Sequence, residues 1–163
     1  MTSERSMTSH CTILGLPLQA GTGRGGCLMG PDAFRTGGLG EVITSQGFGL
    51  TDLGNLPCPA AATEVTGPKH LKKLSEIVAW TRDIQTHAAQ LAAQDTFPIF
   101  IGGDHSMAAG TLTGVAQAAA ERGRPQFVLW LDAHPDMNTL TSSLSGHLHG
   151  TPMAYALGLT SFE

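Results

Sequence analysis

Apolar residues fall along this chain in two kinds of grouping. Short unbroken runs stop abruptly at glycine or acid: residues 12–18 (TILGLPL), 97–101 (FPIFI) and 127–131 (FVLWL). Runs of that length, bounded by turn formers, predict buried strands. Another strand is expected near 47–53, ending in Asp52 and Gly54. Residues 69–94 instead space Leu71, Leu74, Ile77, Val78, Thr81, Ile84, Ala88 and Leu91 at helical intervals. Residues 106–121 are alanine-rich and predict a helix closed by Gly123, with Pro125 just beyond. Pro31 and Asp32 open a helix to about Leu39, and Pro152 opens a final one. A glycine-rich loop runs from Gly21 to Gly30, and a loop with Pro57, Pro59 and Pro68 spans 55–68. Strands alternating with helices predict one α/β domain with a mainly parallel sheet.

Composition sharpens this picture. Only 13% of the 163 residues are charged, against roughly 25% in ordinary soluble domains. With 21 glycines, the mix suits a buried, tightly turned core. A formal net charge of −4 gives no reason to expect nucleic acid or a membrane surface as a partner. Lys69, Lys72 and Lys73 form the nearest thing to a basic patch and read as one turn of solvated helix. Cys11, Cys27 and Cys58 show no CxxC spacing, so neither a disulfide framework nor a zinc knuckle is indicated. The polar start, MTSERSMTSHC, and the lack of a long apolar run lead to an expected cytoplasmic setting.

Candidate chemistry collects after two strands. FPIFI is followed by Gly102-Gly103-Asp104-His105-Ser106, and FVLWL by Asp132-Ala133-His134-Pro135-Asp136-Met137-Asn138. In open parallel sheets, ligands bind outside the carboxyl ends of strands. Asp132, His134 and Asp136 are two residues apart, so an extended chain would turn all three to one face. Two carboxylates and an imidazole without thiolate favour a hard or borderline divalent metal. Burying two carboxylates side by side is costly unless a cation compensates. His105 is a natural fourth ligand, whereas Asp104 could equally cap the next helix. His10, His70 and His87 read as ordinary core or surface histidines.

Two other motifs fail on context. Gly21-x-Gly23-x-x-Gly26, with Asp52 downstream, matches a dinucleotide fingerprint, but Cys27 to Gly30 intervene before the helix signal. Asp132-Ala133-His134 and the histidines at 147 and 149 resemble metallophosphoesterase parts, but in the wrong order.

GGDHS at 102–106, DAHPD at 132–136 and SGHLHG at 145–150 together resemble the ureohydrolases, the family of arginase and agmatinase. ILGLPL at 13–18 and GCLMGPDAFR at 26–35 extend the resemblance over nearly the whole chain. It implies a three-layer α/β/α fold of the arginase and deacetylase type, incomplete here. The implied cofactor is two Mn²⁺ ions in the complete enzyme, holding a bridging hydroxide that attacks the guanidinium carbon. His105 and Asp136 would bind one ion, His134 the other, and Asp132 would bridge them. His149 matches the proton shuttle. Asn138, Ser143 and Ser145 match positions that bind the substrate's α-carboxylate, which favours arginase over agmatinase. His147 departs from the asparagine usual in SGNxHG.

The expected reaction is thus hydrolysis of L-arginine to L-ornithine and urea, on a small guanidino substrate, by a homo-oligomer when complete. Agmatine or another guanidino acid is the alternative substrate, and a non-catalytic remnant the alternative class. The resemblance also implies about twice this length, with a later Asp-x-Asp pair completing the metal sites, so residues 1–163 are expected to be the N-terminal part of one domain. The 163-residue chain alone is expected to be inactive. In the family's sheet the last two strands would lie between the strands ending at His105 and Asp132. His105 is therefore expected to stand too far from Asp132 to share an ion without rearrangement.

Overall fold

The computed structural model describes residues 9–60 and 63–161. The polar N-terminal start before residue 9 and the terminal Phe162-Glu163 lie outside the described residues. Three strands form one parallel sheet: β1 (His10–Leu16), β2 (Gly49–Asn55) and β3 (Phe97–Gly102), in the order β2-β1-β3. β1 is the central strand and is buried from Cys11 to Leu16, as its apolar run predicts. Its Ile13 pairs with Asp52 on one side and Ile99 on the other.

Five helices accompany the sheet: α1 (Gly30–Thr36), α2 (Leu39–Ser45), α3 (Leu74–Ala92), α4 (Met107–Glu121) and α5 (Pro152–Ala156). The chain leaves β1 towards β2 through α1 and α2, then returns across β1 to β3 through α3. Right-handed crossovers in opposite directions put these helices on opposite faces of the sheet. The result is the expected three-layer α/β/α arrangement. α4 packs along α3 through Gly110 and Gly114, where added Cβ atoms would lie 2.7 Å from Thr81 O and 2.4 Å from Gln85 O. Leu14, Leu16, Leu18, Leu56, Ile77, Trp80, Ile84 and Leu148 form the core.

Several boundaries differ from the sequence reading. The helix expected from Pro31 to Leu39 is two, broken at Gly38, whose φ of 89 is left-handed. The helix expected from 69 begins only at Leu74, because Lys73 is left-handed too, with φ 54. Lys69, Lys72 and Lys73 therefore lie in a turn and not on a solvated helix.

The largest correction concerns 127–131. FVLWL forms no strand, and Phe127, Leu129 and Leu131 are 84%, 83% and 85% exposed. A strand is made by its neighbours' hydrogen bonds, and no described strand lies beside this run.

Arg35 ties α1 to β2. Its Nε and Nη2 donate to the two oxygens of Asp52 at 2.7 and 2.8 Å, and Nη1 donates to Asn55 Oδ1 at 2.6 Å. Asp52, the supposed ribose contact, is thus engaged. The Arg35 hydrogen bond is the main cause holding the Asp52 carboxyl below its ordinary range. A depressed carboxyl stabilises the fold above the unfolded-state range, and that contribution is lost as pH falls through the folded-state value. Arg35→Ala should therefore destabilise by about 1 kcal/mol or less, as for exposed pairs. Denaturant unfolding should show the difference at neutral pH and its shrinkage in acid.

Candidate metal centre

The exits of β1 and β3 are bound together. Gly103 N–H donates to Leu16 O at 3.0 Å, and Asp104 N–H to Leu18 O at 2.6 Å. Asp104 is buried and saturated. Its Oδ2 accepts from Gly21 and Thr22 N–H at 2.7 and 3.1 Å, and its Oδ1 from the Ser106 N–H at 2.9 Å and the Ser106 hydroxyl. Asp104 is not the N-cap of α4, which is Ser106 and carries no side-chain cap; its carboxylate folds the turn before that helix and pins the glycine-rich loop.

His105 follows, with its ring free of the sheet. Nδ1 lies 2.8 Å from Asp136 Oδ2 and 3.2 Å from Asp132 Oδ2. The ligand atoms of these three residues all fall within 4.8 Å of one another. His105 and Asp132 thus come together through the rearrangement that sharing an ion was expected to require. Released from any sheet, the 127–131 segment folds back. Trp130 stacks on the His105 ring, with centroids 4.8 Å apart and planes 13° from parallel, and so carries Asp132 to His105. Trp130 was hidden in the sequence by its place in an apolar run.

Asp136 is buried and has φ 46, a conformation uncommon outside glycine and costly enough to mark functional positions. Its backbone carbonyl accepts the Met153 and Ala154 N–H groups at 3.0 and 3.4 Å, which anchors the start of α5. Burial pushes the Asp136 carboxyl up, partly offset by the positive charge of a protonated His105. Its Oδ2 accepts no well-directed hydrogen bond, despite the nearby His105 nitrogen. Asp132 differs: the His134 N–H, at 2.8 Å from its Oδ1, is the main cause keeping its carboxyl below the ordinary range. Two carboxylates and an imidazole converging on one point, with one buried oxygen held only by an ion-pair contact to His105, fit a divalent cation.

His134 stands apart. Its side chain is 81% exposed, with Nδ1 3.5 Å from Asp132 Oδ1. The alternation expected to align Asp132, His134 and Asp136 fails because the chain bends at 132–134 and turns left-handed at Asp136. Asp132 nevertheless offers Oδ2 to His105 and Oδ1 to His134.

A pocket of about 540 Å³ opens beside the cluster, lined by His105, His134, Asp136, Asn138, His149 and Gly150 among others. A slightly larger hollow of about 600 Å³ lies between the 57–65 loop and α3, and its lining brings no histidine. Leu148 is fully buried in the core and fixes its two neighbours. His149 donates its N–H to Gly21 O at 3.1 Å, and Nδ1 lies 2.8 Å from the same oxygen. A carbonyl only accepts, so Nδ1 carries the proton and Nε2 is the open position. The His147 ring lies against Gly23, where an added Cβ would come within 2.7 Å of its Cε1. Gly23 thus permits the close approach of His147, while an added Cβ at Gly21 would meet Ser106 and Asp104. Burial, then the charges of Lys72 and a protonated His149, push the His147 ring below its ordinary value.

Of the three residues expected at a carboxylate, only Asn138 lines the pocket. The buried Ser143 donates its hydroxyl to His147 O at 3.3 Å, and Ser145 Oγ accepts the His147 N–H at 3.3 Å. In this arrangement both serines shape the loop.

The sequence model of the arginase family matches residues 9–162. The chain belongs to the arginase family. It is 52% identical over 154 residues to an arginase of Agrobacterium fabrum, covering 94% of this chain and 47% of that protein. It is 54% identical over 155 residues to an arginase of Brucella suis, covering 94% and 50%. Among solved structures, the Bacillus caldovelox arginase superposes with a TM-score of 0.81 at 34% identity, over 93% of this chain and 50% of that one. The chain therefore spans about half the length of the curated relatives it matches, and the arginase fold is present in part. No helix among the described residues is long and apolar enough to cross a membrane.

Proposed function

We propose that this site serves hydrolysis of the guanidinium group of L-arginine to L-ornithine and urea. The observation that carries this is the convergence of the ligand atoms of His105, Asp132 and Asp136 within 4.8 Å of one another, beside a pocket shared with His149. Family membership and the relatives named as arginases support it. His105 and Asp136 would hold one divalent ion, His134 a second, and Asp132 would bridge them with its two oxygens. Two Mn²⁺ ions, when bound, supply the Lewis acidity that activates water near neutral pH.

The chain's own residues supply the rest. Guanidinium is a poor electrophile, so its leaving amine must be protonated as the bond breaks. His149 is placed for this: its Nδ1–H is fixed on the Gly21 carbonyl, leaving Nε2 to carry a proton to the amine. Asn138, on the pocket wall, would contact the amino-acid end of the substrate, with Ser143 and Ser145 holding the loop behind it. A homo-oligomer and a cytoplasmic setting belong to the same reading.

The test is urea release by manganese-loaded protein, as the 163-residue chain and as any longer product of its gene. L-arginine should exceed agmatine in kcat/KM, because a site built for a polar group discriminates against ligands lacking it. Equal values for the two would overturn the assignment. In an active form, His149→Ala should lower kcat by about 10²-fold or less, the low end for acid–base catalysis, with manganese content unchanged. Loss of metal in that variant would contradict its role as a proton carrier.

A further inference from the structure

We propose that Lys72 is a specificity-determining residue of this site, its ammonium held at the rim by His147 to receive the carboxylate of a guanidino-acid substrate. The proposal rests on the ureohydrolase reading above and names the charge that selects its substrate. Lys72 Nζ lies 3.0 Å from His147 Nε2. An ammonium only donates, so Nε2 accepts, and the pair presents the lysine's positive charge beside a neutral ring. That ring is 6.0 Å from the His149 ring, centroid to centroid, and His149 lines the pocket.

The charge has no partner of opposite sign. Lys72 makes no ion pair among the described residues, whereas its neighbour Lys73 pairs with Glu76 at 3.0 Å. The acid that bears on His147 is Asp104, and both its oxygens are taken by Gly21, Thr22 and Ser106. Neither Lys72 nor His147 lines the pocket itself, but an uncompensated cation one ring behind His149 attracts an anion and repels a second cation.

The backbone holds Lys72 there. Its N–H donates to Gly146 O at 2.9 Å, which clamps the 70–73 turn onto the loop carrying His147. The next residue, Lys73, is one of two non-glycine residues with positive φ among the described residues, and the other is Asp136 in the donor cluster. His147 Nδ1 is buried and makes no hydrogen bond, so Lys72 is the ring's one polar side-chain partner among the described residues.

Such a charge would complement the neutral groups nearby. The hydroxyls of Ser143 and Ser145 are engaged within the loop, and Asn138 offers an amide without charge. Arginine brings a carboxylate to this rim. Agmatine brings an ammonium and no carboxylate.

The test compares L-arginine and agmatine on manganese-loaded protein by calorimetric binding, and by kcat/KM in an active form, in wild type, Lys72→Met and Lys72→Glu. Lys72 is exposed, so both variants should keep the wild-type melting temperature closely. Lys72→Met should cut the arginine-to-agmatine ratio by about 10-fold or more, on the scale of a hydrogen bond between charged groups. Lys72→Glu should cut it further. An unchanged ratio in both folded variants removes the proposal and leaves the ureohydrolase reading standing. If a longer product of the gene, loaded with manganese, binds neither ligand and releases no urea, the ureohydrolase reading fails and this proposal falls with it.

Discussion

Asp132→Ala should cost the protein its tight divalent cation. Among the described residues, Asp132 is the only one whose two oxygens face two different imidazoles, His105 at 3.2 Å and His134 at 3.5 Å. Its loss removes a negative charge and a donor from the cluster, and it leaves Asp136 as the one carboxylate there. Changes to groups that merely orient metal ligands already cost about 10- to 100-fold in affinity. Removal of a ligand itself should exceed that, and urea release by an active form should fall below detection. Calorimetric titration with Mn²⁺ and metal analysis after gel filtration would measure it. His134→Ala provides the internal comparison. If the exposed His134 holds the second ion, its loss should lower stoichiometry towards one metal per chain and spare the first site. Wild-type affinity in Asp132→Ala would mean that the cluster is an ion-paired turn and not a metal centre.

The second large effect concerns solution behaviour. As the 163-residue chain, the protein should self-associate at micromolar concentration. Phe127, Leu129 and Leu131 are each more than 80% exposed, and β3 has described strands on one side only. Contiguous apolar exposure and an open strand edge both recruit further chains. Replacing Phe127, Leu129 and Leu131 together by Ser should convert a broad, concentration-dependent light-scattering signal into that of a discrete species. The triple variant should keep its helical circular dichroism, because the replaced side chains contribute little to the core. A wild-type chain that stays monodisperse at high concentration would show that this run is harmless where it lies.

These two regions also mark where sequence reading succeeds and fails. β1 was legible because a strand buried on both faces is almost wholly apolar, as TILGLPL is; FPIFI shares that signature and forms β3, although only Ile101 of it is buried. FVLWL carries the same signature, yet a strand also needs partners for its backbone, which composition does not encode. The start of α3 was missed because leucines at 71 and 74 keep helical spacing across Lys73, while the left-handed turn at Lys73 leaves no trace in residue type. At the site, the residue identities were readable and their directions were not. Alternation predicted that Asp132, His134 and Asp136 would share a face, but that rule holds only while the chain stays extended. The convergence of His105 with Asp132 depends on Trp130, whose stacking no local pattern announces. Lys72 was read as solvated because nothing in a lysine triplet indicates a histidine seventy-five residues away.

One consequence follows from the double duty of Asp136. Its side chain belongs to the donor cluster, while its carbonyl receives the amide hydrogens of Met153 and Ala154. A cation gripping the carboxylate therefore also steadies the first turn of α5, since a ligand that binds the ordered form stabilises it by mass action. Deuterium uptake at Met153 and Ala154 becomes a clock for the site. It slows when the metal is bound and quickens under a chelator, although neither amide touches the ion.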